Sequence, residues 1–182
     1  RTQDYLDQLA HYDSLTGLAN RSLLNDRLHQ AVARSERRGK LLALVFIDLN
    51  KFKEINDSFG HDAGDVLLKT YANWLKASMR GSDTAARWGG DEFVLILEDV
   101  SSPAAAASVV EKIFRYEATP LDLKGQKIFT SSSAGISIYP LDGTDPIALL
   151  KSADAAMYRA KEHGGSCYKF ARDNYDIKTT AS

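Results

Sequence analysis

The sequence predicts an α+β domain: a central mixed β-sheet with helices on its faces. Three observations lead there. Residues Leu41–Leu49 form a largely apolar run, suited to a strand covered on both sides. Several segments with apolar residues at helical spacing separate it from other short strand-like runs. Two of those runs flank Gly89-Gly90, a composition that signals a tight hairpin.

Taken in order, residues 1–10 read as a polar helix with Tyr5, Leu6 and Leu9 on one face. A turn-rich stretch follows, and Asn20 is placed to cap a helix over 21–38, with Leu23, Leu24, Leu28, Ala31 and Val32 at helical spacing and Gly39 closing it. The strand at 41–49 leads to a short helix over 51–57 and a turn at Ser58-Phe59-Gly60. The helix expected over 62–79 carries a core stripe of Leu67, Leu68, Tyr71, Trp74 and Leu75. Strands at 84–88 and 92–97 make the hairpin. Pro103 sits in the first turn of an alanine-rich helix reaching about 118, where its missing N–H costs nothing. Strands are expected at 121–123 and 128–139, a last helix at 147–162 after Pro146 and before Gly164-Gly165, and a short strand at 168–170. No internal repeat and no second domain is visible. Residues 1–12 are a linker helix, 13–171 the domain, and 172–182 a polar tail.

Composition removes several classes. With 44% hydrophobic and 26% charged residues the chain is neither disordered nor fibrous. A net charge of -1 gives no general attraction to nucleic acid or anionic lipid, so a phosphate site has to be local. No apolar run is long enough to span a bilayer. A single cysteine, Cys167, excludes an internal disulfide and fits a reducing, cytoplasmic setting; its expected place is a small buried position. The chain opens Arg1-Thr2-Gln3, without an initiator methionine or leader pattern, which suggests part of a longer protein whose other regions supply any membrane tether.

The run Gly89-Gly90-Asp91-Glu92-Phe93 is the most informative chemically. Its plain reading is a type I′ turn beside two solvated acids. Its functional reading is backbone bare enough for a triphosphate to approach, with carboxylates beside it for the accompanying Mg²⁺. Asp48, at the end of the apolar run, either caps the short helix or joins that metal site. If the two strands pair, Asp48 and Asp91 meet at one sheet edge, where two like charges call for a cation.

Several motifs in fixed order resemble the GGDEF (diguanylate cyclase) family over roughly residues 13–170. They are Asp13-Ser14-Leu15-Thr16-Gly17-Leu18-Ala19-Asn20-Arg21, Asp48-Leu49-Asn50-Lys51-Phe52-Lys53, Asn56-Asp57, and Phe59-Gly60-His61-Asp62-Ala63-Gly64-Asp65. The hairpin follows, then Ala153-Asp154, Ala156-Met157-Tyr158 and Ala160-Lys161. The resemblance implies a nucleotide-cyclase, palm-like fold with a ferredoxin-like core whose hairpin carries the active site. It implies condensation of two GTP into cyclic di-GMP across a homodimer, with Mg²⁺ or Mn²⁺ as cofactor. The metal ligands would be Asp48, Asp91 and the Leu49 carbonyl, with Asp91 or Glu92 as the base. Asn56 and Asp65 would read guanine, aspartate at 65 favouring GTP over ATP; without the resemblance, Asp65 reads as a helix-surface partner of Lys69. Lys53, His61, Gly89, Gly90 and Lys161 would complete the substrate site.

Arg80-Gly81-Ser82-Asp83 reads as an ordinary loop, yet resembles the family's inhibitory site, where Arg80 and Asp83 would hold cyclic di-GMP. Two departures stand out. Gly165 occupies the place of a phosphate-binding arginine, and Trp88 that of a tyrosine or phenylalanine. The first supports an alternative: a weak or inactive domain that binds GTP or cyclic di-GMP and regulates a neighbour.

Overall fold

The computed structural model describes residues 2–172. In chain order the elements are α1 (Thr2–His11), α2 (Arg21–Arg38), β1 (Leu41–Leu49), α3 (Phe52–Phe59), α4 (His61–Ser78), β2 (Thr84–Arg87) and β3 (Glu92–Val100). They continue with α5 (Pro103–Glu117), β4 (Leu121–Leu123), β5 (Gln126–Ile128), β6 (Ser132–Tyr139), α6 (Pro146–Lys161) and β7 (Cys167–Phe170). A five-stranded sheet runs β2-β3-β1-β6-β7, antiparallel except for the β6–β7 edge, so it is mixed as expected.

The strand period of two divides the core. Ala43, Val45, Ile47 and Leu49 of β1 face α3, α4 and α5 through Ile55, Leu67, Tyr71, Val110 and Ile113. Leu42, Leu44 and Phe46 face α2 and α6 through Leu24, Leu28, Leu149 and Met157. Burial of β1 on both sides explains why its sequence reads as a continuous apolar run.

Capping follows the sequence. Asn20 accepts a hydrogen bond from the Leu23 N–H at 2.9 Å, and Gly39 ends α2 in the left-handed region at φ 63°. Ser102 and Asp145 cap α5 and α6 in the same way. At Gly135 a Cβ would lie 2.0 Å from the Ala153 carbonyl oxygen. Glycine there lets α6 lie directly on β6, which sets how far the end of α6 reaches toward the sheet edge.

Several expectations are corrected. The type I′ turn lies at Lys124-Gly125, with φ of 51° and 83°, where it joins the β4–β5 hairpin. Neither Gly89 nor Gly90 has positive φ. The expected strand at 128–139 is split, because β5 turns away to pair with β4 and only Ser132–Tyr139 joins the main sheet. The turn at 58–60 shrinks to Gly60, since α3 continues through Phe59. Cys167 is only partly buried, on edge strand β7. Tyr5, Leu6 and Leu9 of α1 are all exposed. Most of the expected tail, 173–182, lies outside the described residues. Among the described residues no helix is long and apolar enough to cross a membrane.

Candidate active site

The site forms where β1 ends beside the start of β3. Asp48 stands opposite Glu92 in the antiparallel register, and the Leu49 N–H donates to the Asp91 carbonyl at 3.1 Å. Directly opposed residues carry their side chains on one face, so the pairing sets Asp48 and Glu92 together with Asp91 next to them. Asp48 is only 7% exposed and does not cap α3; the capping position is Lys51, whose side chain makes no cap bond. Lys161, at the end of α6, donates to Asp48 Oδ2 instead.

Charge is crowded here. Burial and then the neighbouring Asp48 charge push the Asp91 carboxyl above the usual carboxylate range. Burial, then Asp48, Asp91 and Asp154, push Glu92 upward against the opposing pull of Arg21. Burial draws the Lys161 ammonium down, but the Asp48 hydrogen bond and charge outweigh it and raise it overall. Asp48 Oδ1 is buried with no partner. A buried lone pair without a donor, between carboxylates that resist ionising together, is suited to a hard cation.

Among the described residues no three Asp, Glu, His or Cys side chains are gathered as a metal cage. Asp48, Asp91 and the Leu49 carbonyl offer the oxygen ligands that a hard cation takes.

The turn from β2 to β3 is closed by the Glu92 carbonyl, which accepts from the Trp88 N–H at 2.8 Å and the Gly89 N–H at 3.3 Å. The Arg87 guanidinium donates to the Gly90 carbonyl at 2.8 Å and pairs with Asp13 at 3.3 Å. The entry motif is thereby fastened to the hairpin. Gly89 lies against the end of the Glu92 side chain: a Cβ on it would lie 2.5 Å from Glu92 Oε1, which would have to swing aside. The Arg21 guanidinium stacks 4.2 Å above the Trp88 ring, which also meets the edge of Phe46. Arg21 and Asp154 therefore belong to the surroundings of Glu92. Both fall inside recognised motifs, but nothing in their spacing assigns them this place.

The remaining site residues gather around α3 and α4. Asn56 is partly buried, with its Oδ1 lacking a partner, and a Cβ on Gly64 would lie 1.8 Å from that oxygen. Gly64 thus makes room for Asn56, next to Asp65 in sequence. Asp65 is exposed, and among the described residues no ion pair joins it to Lys69. Lys53 and His61 are exposed near the starts of α3 and α4. Gly165 adopts φ 64° with open space where a side chain would project.

Arg80 and Asp83 differ in exposure but are joined: Arg80 Nε lies 3.6 Å from Asp83 Oδ2, and the Arg80 guanidinium donates to the Glu98 carbonyl. Asp83 accepts from the Arg80 N–H and the Glu98 N–H, each at 3.1 Å, with its side chain 2% exposed. It pins the loop to β3. Arg80 is exposed and flanked by two depressions of about 400 and 420 Å³, one of them lined by Arg34, Arg38 and Lys40.

A mixed sheet carrying a glycine turn and facing carboxylates at one strand end defines the class of this domain. Residues 10–167 match the family described as diguanylate cyclase, GGDEF domain, and the chain belongs to that family. It is 44% identical over 170 residues to the bifunctional diguanylate cyclase/cyclic di-GMP phosphodiesterase MucR of Pseudomonas aeruginosa. The match covers 93% of this chain and 25% of MucR, so the chain spans about a quarter of that relative's length. The solved GGDEF domain of TpbB from the same organism superposes with a TM-score of 0.87 at 39% identity, covering 94% of this chain and all (100%) of that one. The GGDEF domain of DgcB from Caulobacter crescentus, solved with cyclic di-GMP, superposes with a TM-score of 0.81 at 28% identity, covering 89% and 96%.

Proposed function

We propose that this domain is a diguanylate cyclase that joins two GTP molecules into cyclic di-GMP and releases two pyrophosphates. The observation that carries the reading is the pairing that brings the Asp48, Asp91 and Glu92 carboxylates together beside the Gly89-Gly90 turn, with Asp48 Oδ1 buried and partnerless. Bound Mg²⁺ supplies charge neutralisation of the triphosphate and a lower pKa for the attacking hydroxyl.

The chain's own residues do the rest. Asn56 and Asp65 hold the guanine edge; aspartate accepts from the base's N–H groups, which an adenine cannot offer in that pattern. The turn backbone at Gly89-Gly90 lies against the phosphates. Lys161 and Lys53 compensate phosphate charge as compact point charges. Glu92 accepts the proton of the 3′-hydroxyl. Each domain carries one GTP, so the 3′-oxygen of one attacks the α-phosphorus of the other, in line with its pyrophosphate. Two P–O bonds form and two break only when two domains face each other, which makes a homodimer part of the mechanism. Arg80 holds product and slows the reaction.

The test is direct. With GTP and Mg²⁺ the domain produces cyclic di-GMP, with ATP it produces no cyclic dinucleotide, and Asp91→Ala loses turnover while keeping its far-ultraviolet dichroism. Equal use of ATP would remove the role given to Asp65. Two observations favour a second reading: residue 165 is a glycine without a cationic side chain, and Lys161 donates to Asp48. A domain that binds GTP without turning it over, regulating a neighbour, accommodates both facts.

A further inference from the structure

Glu117, the last residue of α5, is only 2% exposed. Its Oε2 accepts from Tyr71 Oη at 2.7 Å and from Ser132 Oγ at 2.5 Å, and its Oε1 accepts from Ser166 Oγ at 2.7 Å. Ser132 is the register partner of Leu49. Ser166 lies just beyond Gly165, whose carbonyl accepts from Asn50 Nδ2 at 2.9 Å.

Both amide N–H donors of Asn50 are engaged. Its amide nitrogen also donates to Ser131 Oγ at 3.0 Å, its Oδ1 accepts from Ser133 Oγ at 2.9 Å, and its backbone N–H donates to the Ser131 carbonyl at 2.9 Å. It ties the end of β1 to the start of β6 and to the loop after α6.

Local backbone bonds also hold that loop, from the His163 N–H to the Ala160 carbonyl at 3.1 Å and from the Gly164 N–H to the Lys161 carbonyl at 3.2 Å, and β7 begins directly after it. Gly164 and Gly165 both lie in the left-handed region, at φ 70° and 64°, and neither has an atom within 4 Å of where a Cβ would be. Consecutive glycines without side-chain packing leave a segment whose position is set by its polar clamps. Here the side-chain clamps are the Gly165 carbonyl on Asn50 and the Ser166 hydroxyl on Glu117.

We infer that Glu117 is a positioning residue for the active site: through Ser166 and the Gly165 carbonyl it fixes Asn50, and through Ser132 it backs Leu49, holding the Asp48–Asn50 strand end in the geometry that receives metal and nucleotide. Only the nucleotide arm of this inference rests on the function proposed above. A satisfied polar network of this kind specifies one arrangement of the groups it joins, whereas apolar packing alone would tolerate small slips. It also accounts for a working loop at a place where no arginine is present to anchor itself on phosphate.

The test uses Ser166→Ala, which removes the exposed clamp and leaves the buried Tyr71–Ser132–Glu117 contacts in place, with Ser166→Thr as the conservative rescue and Glu117→Gln as the second variant. Two quantities are read: water exchange of the Asn50 side-chain amide protons by ¹⁵N NMR of the ligand-free domain, and affinity for α,β-methylene-GTP with Mg²⁺ by calorimetry. Ser166→Ala is expected to speed the amide exchange about tenfold, the scale of one hydrogen bond to a charged group. It should weaken nucleotide binding several-fold with little change in Tm, and Ser166→Thr should restore both. If Ser166→Ala and Glu117→Gln lower Tm but leave amide exchange and nucleotide affinity at wild-type values, Glu117 serves only the fold and the inference is overturned. Failure of the wild-type chain to make cyclic di-GMP would remove the cyclase reading without touching the amide-exchange result.

Discussion

At the scale of single residues the site is governed by negative charge brought together by strand pairing. Asp91 resists ionisation because it is partly buried and lies near Asp48, so its neutral form is favoured in the folded chain. Replacing it with a neutral isostere should therefore have opposite consequences for stability and for metal response. In metal-free buffer Asp91→Asn is expected to melt at a higher temperature than the wild type. Added Mg²⁺ with a GTP analogue should raise the wild-type Tm by mass action and leave the variant nearly unmoved. A variant that melts lower without metal and still gains from it would contradict the assignment. The same crowding was legible in the sequence only in part. Asp48 at the end of an apolar run is visible at once, and the hairpin acids also. That Lys161 balances Asp48, that Glu92 folds against Gly89, and that Arg21 and Asp154 surround Glu92 are products of tertiary placement, since the residues involved are far apart in the chain.

At the scale of elements, boundaries were legible wherever a cap or a clear period marked them, as at Asn20, Gly39, Pro103 and Pro146. They failed where pairing partners decided the outcome. Residues 128–139 have strand character throughout, but β5 is drawn to β4 by the Lys124-Gly125 turn, and only Ser132–Tyr139 reaches the main sheet. The loop before β2 shows a similar division between Asp83, which is buried and accepts two backbone N–H groups, and Arg80, which is exposed. Asp83→Ala should thus lower stability by about 1–3 kcal/mol through orphaned donors, read in urea unfolding. Arg80→Ala should leave unfolding near wild type while relieving inhibition by added cyclic di-GMP; an unchanged inhibition curve would return the loop to a purely structural role. Glu117, at the end of α5, gives a pH prediction. Burial pushes its carboxyl above the ordinary 4.5, against the pull of the Ser132, Ser166 and Tyr71 hydroxyls. A raised acid binds its proton more tightly in the folded state. The stability it contributes is full below 4.5 and is lost as pH rises through the higher folded value. The Tm of the wild type relative to Glu117→Gln should fall as pH rises across that window, and a gap that widens in favour of the wild type would contradict the direction.

At the scale of the whole molecule, the three-layer arrangement explains why the chemistry gathers at one edge. Helices α2 and α6 cover one face of the sheet and α3, α4 and α5 the other, so the sheet's polar residues come within reach of solvent at the strand ends. The end of β1, the turn into β3 and the end of α6 converge there. One domain arranged in this way holds the groups for one nucleotide, whereas the proposed product contains two. Under the proposed function, activity depends on encounter between copies, and the concentration dependence of rate reads this directly. The decisive measurement is the initial rate of cyclic di-GMP formation from GTP and Mg²⁺ over a range of domain concentrations, in the wild type and in Asp91→Ala. At concentrations where the domain is mainly monomeric, the account predicts a wild-type rate that rises as the square of concentration and an Asp91→Ala rate indistinguishable from background. Product formed at full rate by the Asp91→Ala domain, or no product from the wild type even at high concentration, would contradict it.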